Sequence, residues 1–142
     1  MLLSDSHIHT MFSSDSEENP VNVVNSAISL GFKHICFTDH NDFDAPLEDG
    51  KVMFDLDFPA YIKNFQNLKE SYKDKINIHI GVEQGLMRSV ADRVNSYDSA
   101  EQLDFIIGSS HLVYGEDPYY PEFWEKCFAK DAVLTYYERI LD

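Results

Sequence analysis

The spacing of apolar positions changes several times along the chain, and each change marks an element. Residues 2–6 form a short apolar-to-polar stretch that predicts a first strand, and a polar loop follows over 13–19. Asn19 has the side chain of an N-cap, Pro20 suits the first helical position, and Gly31 stands where a helix should end. Between them Val21, Val24, Ala27 and Ile28 recur at helical spacing and form one apolar stripe. His34-Ile35-Cys36-Phe37-Thr38 is short and β-rich, hence a second strand, and a long acidic loop runs from 39 to 58. Loops of that length in a compact domain tend to be functional. Pro59 opens a second helix, in which Tyr61, Phe65, Leu68 and Tyr72 step by four, three and four residues. Residues 76–82 predict a third strand and 90–103 a helix, although Ser96, Asp98 and Ser99 interrupt its pattern. A fourth strand is expected over 104–109, an aromatic loop over 114–120, and one or two helices from 121 to 142.

Strands alternating with helices at this spacing argue for an α/β fold, a parallel sheet with crossover helices. Pattern alone leaves an open sheet and a barrel both open. The 142 residues fit one domain, 1–142, and no linker or repeat divides them. Apolar content of 44% and charged content of 25% are those of an ordinary soluble domain. No apolar run approaches the roughly 20 residues of a membrane helix. The start Met-Leu-Leu-Ser-Asp-Ser-His lacks the basic and long apolar stretches of a signal peptide, so a cytoplasmic location is expected.

Charge then narrows the functions. With 25 acidic against 11 basic residues the net charge is −14, which repels nucleic-acid backbones and anionic membranes. An anionic small molecule is equally disfavoured unless bound cations reverse the sign locally, and that tension points to metal. The two cysteines, Cys36 and Cys127, match no zinc spacing. Cys36 reads as a small buried hydrophobe, and no disulfide is expected.

Four of the six histidines stand directly after predicted strands. His7 and His9 follow the first, His40 ends Thr38-Asp39-His40 after the second, and His111 ends Gly108-Ser109-Ser110-His111 after the fourth. Glu83 follows the third in Gly81-Val82-Glu83. The carboxyl ends of parallel strands share one rim, where ligands and catalytic groups collect. Residues two apart on a strand point the same way, about 6.5 Å apart, so both imidazoles of His7-Ile8-His9 can reach one cation. Glu83 can bridge two ions, and nitrogen plus carboxylate ligation suits zinc, manganese or iron. Asp5 and Asp39, beside the histidines, are expected to accept from imidazole N–H groups. His34 and His79 fall inside strands and read as structural.

In these motifs the chain resembles the PHP superfamily (polymerase and histidinol phosphatase), and within it the histidinol-phosphate phosphatase branch. The likeness rests on Asp5-Ser6-His7-Ile8-His9-Thr10, Phe12-Ser13-Ser14-Asp15, Phe37-Thr38-Asp39-His40, Gly81-Val82-Glu83 and Ile107-Gly108-Ser109-Ser110-His111, in that order. It implies a distorted barrel of seven parallel strands and up to three divalent metal ions. His7, His9 and Glu83 would hold the first ion, Glu83 and His111 the second, and Asp15 and His40 the third. Many relatives carry His where this chain has Asp15. Glu83, His111 and His40 would carry the catalysis, a metal-dependent hydrolysis of L-histidinol phosphate in histidine biosynthesis.

Such barrels run to about 250 residues, so the likeness implies only the front half of the domain, about four strands. The later histidine, the later Asp-x-His and the phosphate-clamping arginine of the family are absent, and Arg88 does not stand in that arginine's place. Three ligands remain for the first site and two each for the others, so weak or no activity is expected of the chain by itself. A half-barrel exposes strand edges and an apolar sheet face, which predicts a homodimer or a missing C-terminal half. Tyr136-Tyr137-Glu138-Arg139-Ile140 reads as a helix without a stop signal, and truncation is the expectation. Two other readings stay open: a PHP phosphoesterase acting on nucleotides or other small phosphate esters, and a non-catalytic metal-binding remnant or assembly module.

Overall fold

A computed structural model describes the chain apart from residues 1–2, 44, 46, 48–49, 51–52, 96–99 and 142. Its strands are β1 (Ser4–Ile8), β2 (His34–Phe37), β3 (His40–Asn41), β4 (Asn77–Gly85) and β5 (Phe105–Ser109). The helices are α1 (Pro20–Ser29), α2 (Phe58–Tyr72), the short α3 (Ala91–Asn95) and α4 (Pro121–Trp124), and α5 (Ala129–Leu141). All pairings between these strands are parallel. Phe37 stands opposite Ile80 and His40 opposite Glu83, the same offset of 43, so β2 and β3 are one line of strand. Only Thr38 and Asp39 interrupt it, and the Asp39 carbonyl still accepts from Glu83 N at 3.1 Å. The sheet therefore has four parallel lines, β1, β2 with β3, β4 and β5, which is the expected architecture.

Local chemistry explains the helices. Asn19 caps α1 by accepting from Val21 N at 2.9 Å, with Pro20 following it. Gly31, at φ 83°, lets the chain leave in the left-handed region. In α2 the cap is Asp57, which accepts from Ala60 N at 3.1 Å, so the helix starts one residue before the expected Pro59. Val24 and Ala27 of α1 join Tyr61, Phe65 and Leu68 of α2 against Ile35, Phe37, Ile78, Ile80 and Val82 of the sheet. Burying each large side chain contributes roughly 1.5–3 kcal/mol. Tyr61, fully buried, donates to the Gly81 carbonyl at 2.9 Å and so keeps its hydroxyl satisfied. Phe12 packs edge-to-face on Tyr61 and tilted against Phe65, anchoring the loop after His9 to this core.

Several predicted boundaries move. The first strand was expected at 2–6 but runs from Ser4 to Ile8, because the Leu3 carbonyl already pairs with Lys33 N and the ladder continues to Ile8 opposite Phe37. Leu2 lies outside the described residues. The third strand was expected to end at Val82 but reaches Gly85, since β3 and β5 pair with it on both sides. Glu83 is thus inside a strand rather than after it. The helix expected over 90–103 is a 3-10 turn (Arg88–Val90), α3 and a second turn (Ala100–Gln102), with 96–99 outside the described residues. The long loop is crossed by β3 and tied by Asp42 N to the Phe54 carbonyl and Leu56 N to Asn41 Oδ1.

The sheet face away from α1 and α2 was expected to be apolar and exposed. It carries His34 and His79 but also the exposed Phe105, which stands opposite Gly81, and other exposed apolar side chains include Ile106 of β5 and Leu134, Tyr137 and Ile140 of α5. Cys36 is buried, as expected, and both cysteines are free. Among the described residues no helix is long and apolar enough to cross a membrane.

Candidate metal centre

A bulge places the first two ligands. Asp5 pairs with Ile35, an offset of 30, whereas Ile8 pairs with Phe37, an offset of 29, so β1 holds one extra residue between them. The extra residue resets the alternation. Ile8 packs on the core, and His7 and His9 on either side of it turn to the opposite face. Glu83 reaches the same face from β4, His40 from β3, and Ser109 and His111 from the end of β5.

The centre of the cluster is the Glu83 carboxylate, which is 6% exposed. Its Oε2 lies 2.7 Å from His7 Nε2 and 2.9 Å from His9 Nε2, and those two nitrogens are 3.0 Å apart. Its Oε1 lies 2.9 Å from His111 Nε2 and accepts from Ser109 Oγ at 2.8 Å. His40 Nε2 sits 3.7 Å from Oε2 and 3.6 Å from Asp15 Oδ2. Three overlapping groups of ligand atoms result: His7, His9 and Glu83; His40, Glu83 and His111; His9, Asp15 and His40. A tetrahedral zinc with bonds of about 2.0–2.1 Å separates its ligand atoms by about 3.3 Å. The first group needs each atom to give way by only a few tenths of an ångström to hold such an ion, and its two imidazoles and one carboxylate are the right donors. All six sequence-predicted site residues, His7, His9, Asp15, His40, Glu83 and His111, are brought together.

The predicted supporting acids are not the ones that touch the rings. Asp5 is exposed and accepts from the His7 backbone N at 3.1 Å, not from an imidazole. Asp39 is fully buried and accepts from Thr10 N and Thr10 Oγ1, pinning the loop after His9 to the end of β2. Asp5 turns back to the backbone of its own strand, and Asp39 reaches across to the backbone and hydroxyl of Thr10. Asp15 and Asp42 take the role instead. Asp15 Oδ2 lies 2.9 Å from His9 Nδ1, and Asp42 Oδ1 lies 2.8 Å from His111 Nδ1. Asp42 Oδ2 is also 3.2 Å from His40 Nδ1, close enough for an ion pair but out of line for a hydrogen bond.

Sequence reasoning passed over Asp42, although the spacing His40-x-Asp42 was visible. The glycine at 85 is part of the same arrangement, because a Cβ there would stand 1.7 Å from Asp42 Oδ1. Ser13 was also missed; its Oγ accepts from His40 N at 2.6 Å and fixes the start of β3.

Charge in the cluster is strongly coupled. The Glu83 carboxyl is held below the usual range: burial alone would raise it, but hydrogen bonds from His111, His9, Ser109 and His7 outweigh that. His9 is raised to about 9, chiefly by Glu83, with burial opposing and Asp15 assisting. Burial alone would lower His111, yet Asp42 and Glu83 raise it to about 10. Asp42 is lowered because His111 and His40 outweigh its burial. Burial moves Asp39 the other way, upward, against the hydrogen bonds of Thr10. With an ion on each Nε2, the Nδ1–H of His9 and His111 would donate to Asp15 and Asp42, the carboxylate–histidine–metal arrangement that fixes ring orientation.

The chain is similar to known proteins over nearly its whole length. The family model described as PHP domain matches residues 5–142. The histidinol-phosphatase of Lactococcus lactis subsp. lactis is 36% identical over 140 residues, 97% of this chain and 50% of that protein. A crystal structure of histidinol phosphate phosphatase from the same organism, complexed with zinc, L-histidinol and phosphate, superposes with a TM-score of 0.87 at 35% identity. The match covers 98% of this chain and 52% of that one. A putative histidinol phosphatase of Listeria monocytogenes shares the fold, with a TM-score of 0.78 at 23% identity, over 95% of this chain and 58% of its own. The chain spans about half the length of the curated relatives it matches.

Proposed function

The chain belongs to the PHP domain family, and from that premise we propose that its rim of histidines and carboxylates is the front half of a phosphate monoesterase centre. His7, His9 and Glu83 would hold a first divalent ion, Glu83 and His111 a second, and Asp15 and His40 a third. Zinc, manganese and iron all suit these donors. Such ions, when bound, supply a deprotonated water near neutral pH and offset the charge that develops on the phosphoryl oxygens. The chain's own part is to hold and orient. Glu83 presents one oxygen to each side of the cluster, and Asp42 and Asp15 keep the His111 and His9 rings turned toward it.

The observation that carries this reading is the environment of Glu83: a buried carboxylate with three imidazole nitrogens within 3 Å of its oxygens. L-Histidinol phosphate is the proposed substrate of the complete centre, on the strength of the relatives' names and of the L-histidinol and phosphate held by the Lactococcus protein. A biosynthetic role of that kind fits the cytoplasm. We further propose that a second copy or further polypeptide packs on the exposed apolar side chains of β5 and α5, Ile106, Leu134 and Ile140 among them.

Native mass spectrometry with metal analysis, followed by phosphate release with added zinc or manganese, tests the proposal. At least one tightly held ion per chain and slow turnover by the 142-residue chain are expected. Failure to take up any ion would sink the metal centre. Turnover by a monomer matching that of full-length relatives would sink the claim that the centre is incomplete.

A further inference from the structure

Along β4 the side chains that face the core are Ile78, Ile80, Val82 and then Gln84. Along the neighbouring line they are Ile35 and Phe37 of β2 and, beyond the interruption, Asn41 of β3. Both rows thus end on an amide, and the two amides stand opposite each other in the sheet, Asn41 against Gln84. Neither is exposed, at 0% and 1%. A buried amide costs stability unless its donors and acceptors are met. Asn41 Nδ2 donates to Gln84 Oε1 at 2.8 Å, and Gln84 Nε2 donates to the Asn41 carbonyl at 2.7 Å and to the Gly85 carbonyl at 2.9 Å. Asn41 Oδ1 accepts from Leu56 N at 3.2 Å, on the chain leading into α2.

An aliphatic pair could continue both rows, and exchanging both partners of a buried hydrogen bond for apolar groups can be nearly neutral for stability. What apolar groups cannot supply is direction. β3 has only the residues His40 and Asn41, so its backbone ladder with β4 is short. The two amides lengthen that ladder through their side chains and fix β3 along the strand axis. Register matters here because the alternate residues face the cluster. His40 and Asp42 flank Asn41, and Glu83 and Gly85 flank Gln84. A Cβ at position 85 would collide with Asp42 Oδ1, and from that close seat Asp42 reaches His111 Nδ1 at 2.8 Å. A slip of β3 along β4 would therefore carry His40 away from Glu83 and Asp42 away from His111 together.

We propose that Asn41 and Gln84 are positioning residues of the metal centre: their paired side-chain amides lock β3 against β4 and so hold His40 and Asp42 in register with Glu83. The assignment rests on the metal-centre reading and deepens it, since it assigns a part in the centre to two side chains on the core face of the sheet.

The test is a cobalt(II) titration of the full chain, read by the paramagnetic shift of each histidine ring signal. His7 and His9 are carried by β1 and serve as the internal reference. Gln84→Met keeps the length of the side chain and loses its amide. In this variant cobalt should reach His7 and His9 at the concentration seen for the unaltered chain, and the melting temperature should stay close to the original. The concentration needed at His40 should rise about tenfold or more, as when a group that supports a ligand is lost. An effect at His40 no larger than at His7 and His9 overturns the proposal. Uniform weakening at all three with a lower melting temperature does so too, because it marks the pair as structural only. A check on the unaltered, metal-free chain needs no variant: the Gln84 side-chain N–H protons should exchange with solvent as slowly as the backbone amides of β4, and exchange at the rate of an exposed amide overturns the proposal. The two readings fail differently. Failure of the positioning pair leaves cobalt binding at His7 and His9 intact, whereas cobalt that shifts no ring signal of the unaltered chain overturns the metal centre and the proposal with it.

Discussion

Two pairs of histidines occupy one face of the same sheet, and only one of them makes a site. His79 and Glu83 are four residues apart on β4 and so point to the same face. At the far end of the strands His34 and His79 stack with centroids 5.7 Å apart and planes at 20°, and their nearest ring nitrogens are 3.4 Å apart. At the rim His7 and His9 are 4.9 Å apart, centroid to centroid. The rim rings are tilted, at 53° rather than 20°, but both pairs bring two ring nitrogens within 3.4 Å of each other, so the tilt is the lesser difference. What differs is the carboxylate: Glu83 is buried between the rim rings, whereas the acid nearest His79, Asp104, stands 3.9 Å away and is engaged by Ile80 N and Lys69. A pair of imidazoles acquires directed chemistry when a desolvated anion is held among them, because burial makes that anion depend on its partners.

The sharpest way to break the contrast is Glu83→Gln. Loss of an acid that merely supports a ligand typically costs about 10–100-fold in metal affinity, and Glu83 contributes to two of the three ligand groups. Zinc affinity should fall by more than about 100-fold, and metal content after dialysis should drop with it. Retention of the full metal count by this variant would show that the rim does not depend on its central carboxylate.

A smaller effect lies in the protons. In the metal-free chain His9, at about 9, and His111, at about 10, are charged at pH 7. An ion takes the neutral imidazole, so loading at pH 7 should release about two protons, one from each ring. Calorimetry in buffers of different ionisation heat measures that number. Both folded values lie above the ordinary histidine value of about 6.5. Their contribution to stability is therefore complete below about pH 6.5 and is lost as pH rises through about 9 to 10. The metal-free chain should melt at a lower temperature at pH 10 than at pH 7, while zinc affinity rises across the same interval. A melting temperature independent of pH over that range would contradict the charge coupling at the rim.

The smallest effect belongs to the other pair. His34→Ala and His79→Ala should leave metal content unchanged and alter stability by no more than about 0.5 kcal/mol, as for exposed substitutions away from special features. Chemical denaturation with metal analysis checks both. Metal loss from either variant would mean that the two pairs communicate.

Much of this was legible before any coordinates. Asn19 and Pro20 announced α1, and the apolar run around Ile78 and Ile80 announced a buried parallel strand, because caps and periodicity are local properties of the chain. The ligand residues were legible for the same reason: a histidine or glutamate at the end of a strand signature sits on the rim of any parallel sheet. The supporting acids were not. Asp42 and His111 are 69 residues apart, and their contact depends on the packing of β3 and β5 on either side of β4, with a glycine at 85 to admit the carboxylate. Asp39 looked equally suited beside His40, yet it is turned to Thr10 by a backbone direction that no spacing rule supplies.

By itself, then, the sequence determined which side chains are chemically able to hold ions and at which end of the sheet they stand, since strand order and cap chemistry are written locally. Tertiary structure alone decided how they face one another. The extra residue in β1 resets the alternation so that His7 and His9 share the face of Glu83, and strand pairing across β4 brings Asp42 to His111. Register and face are properties of strands in contact: one residue of slip exchanges buried for exposed, and only the packed sheet fixes it.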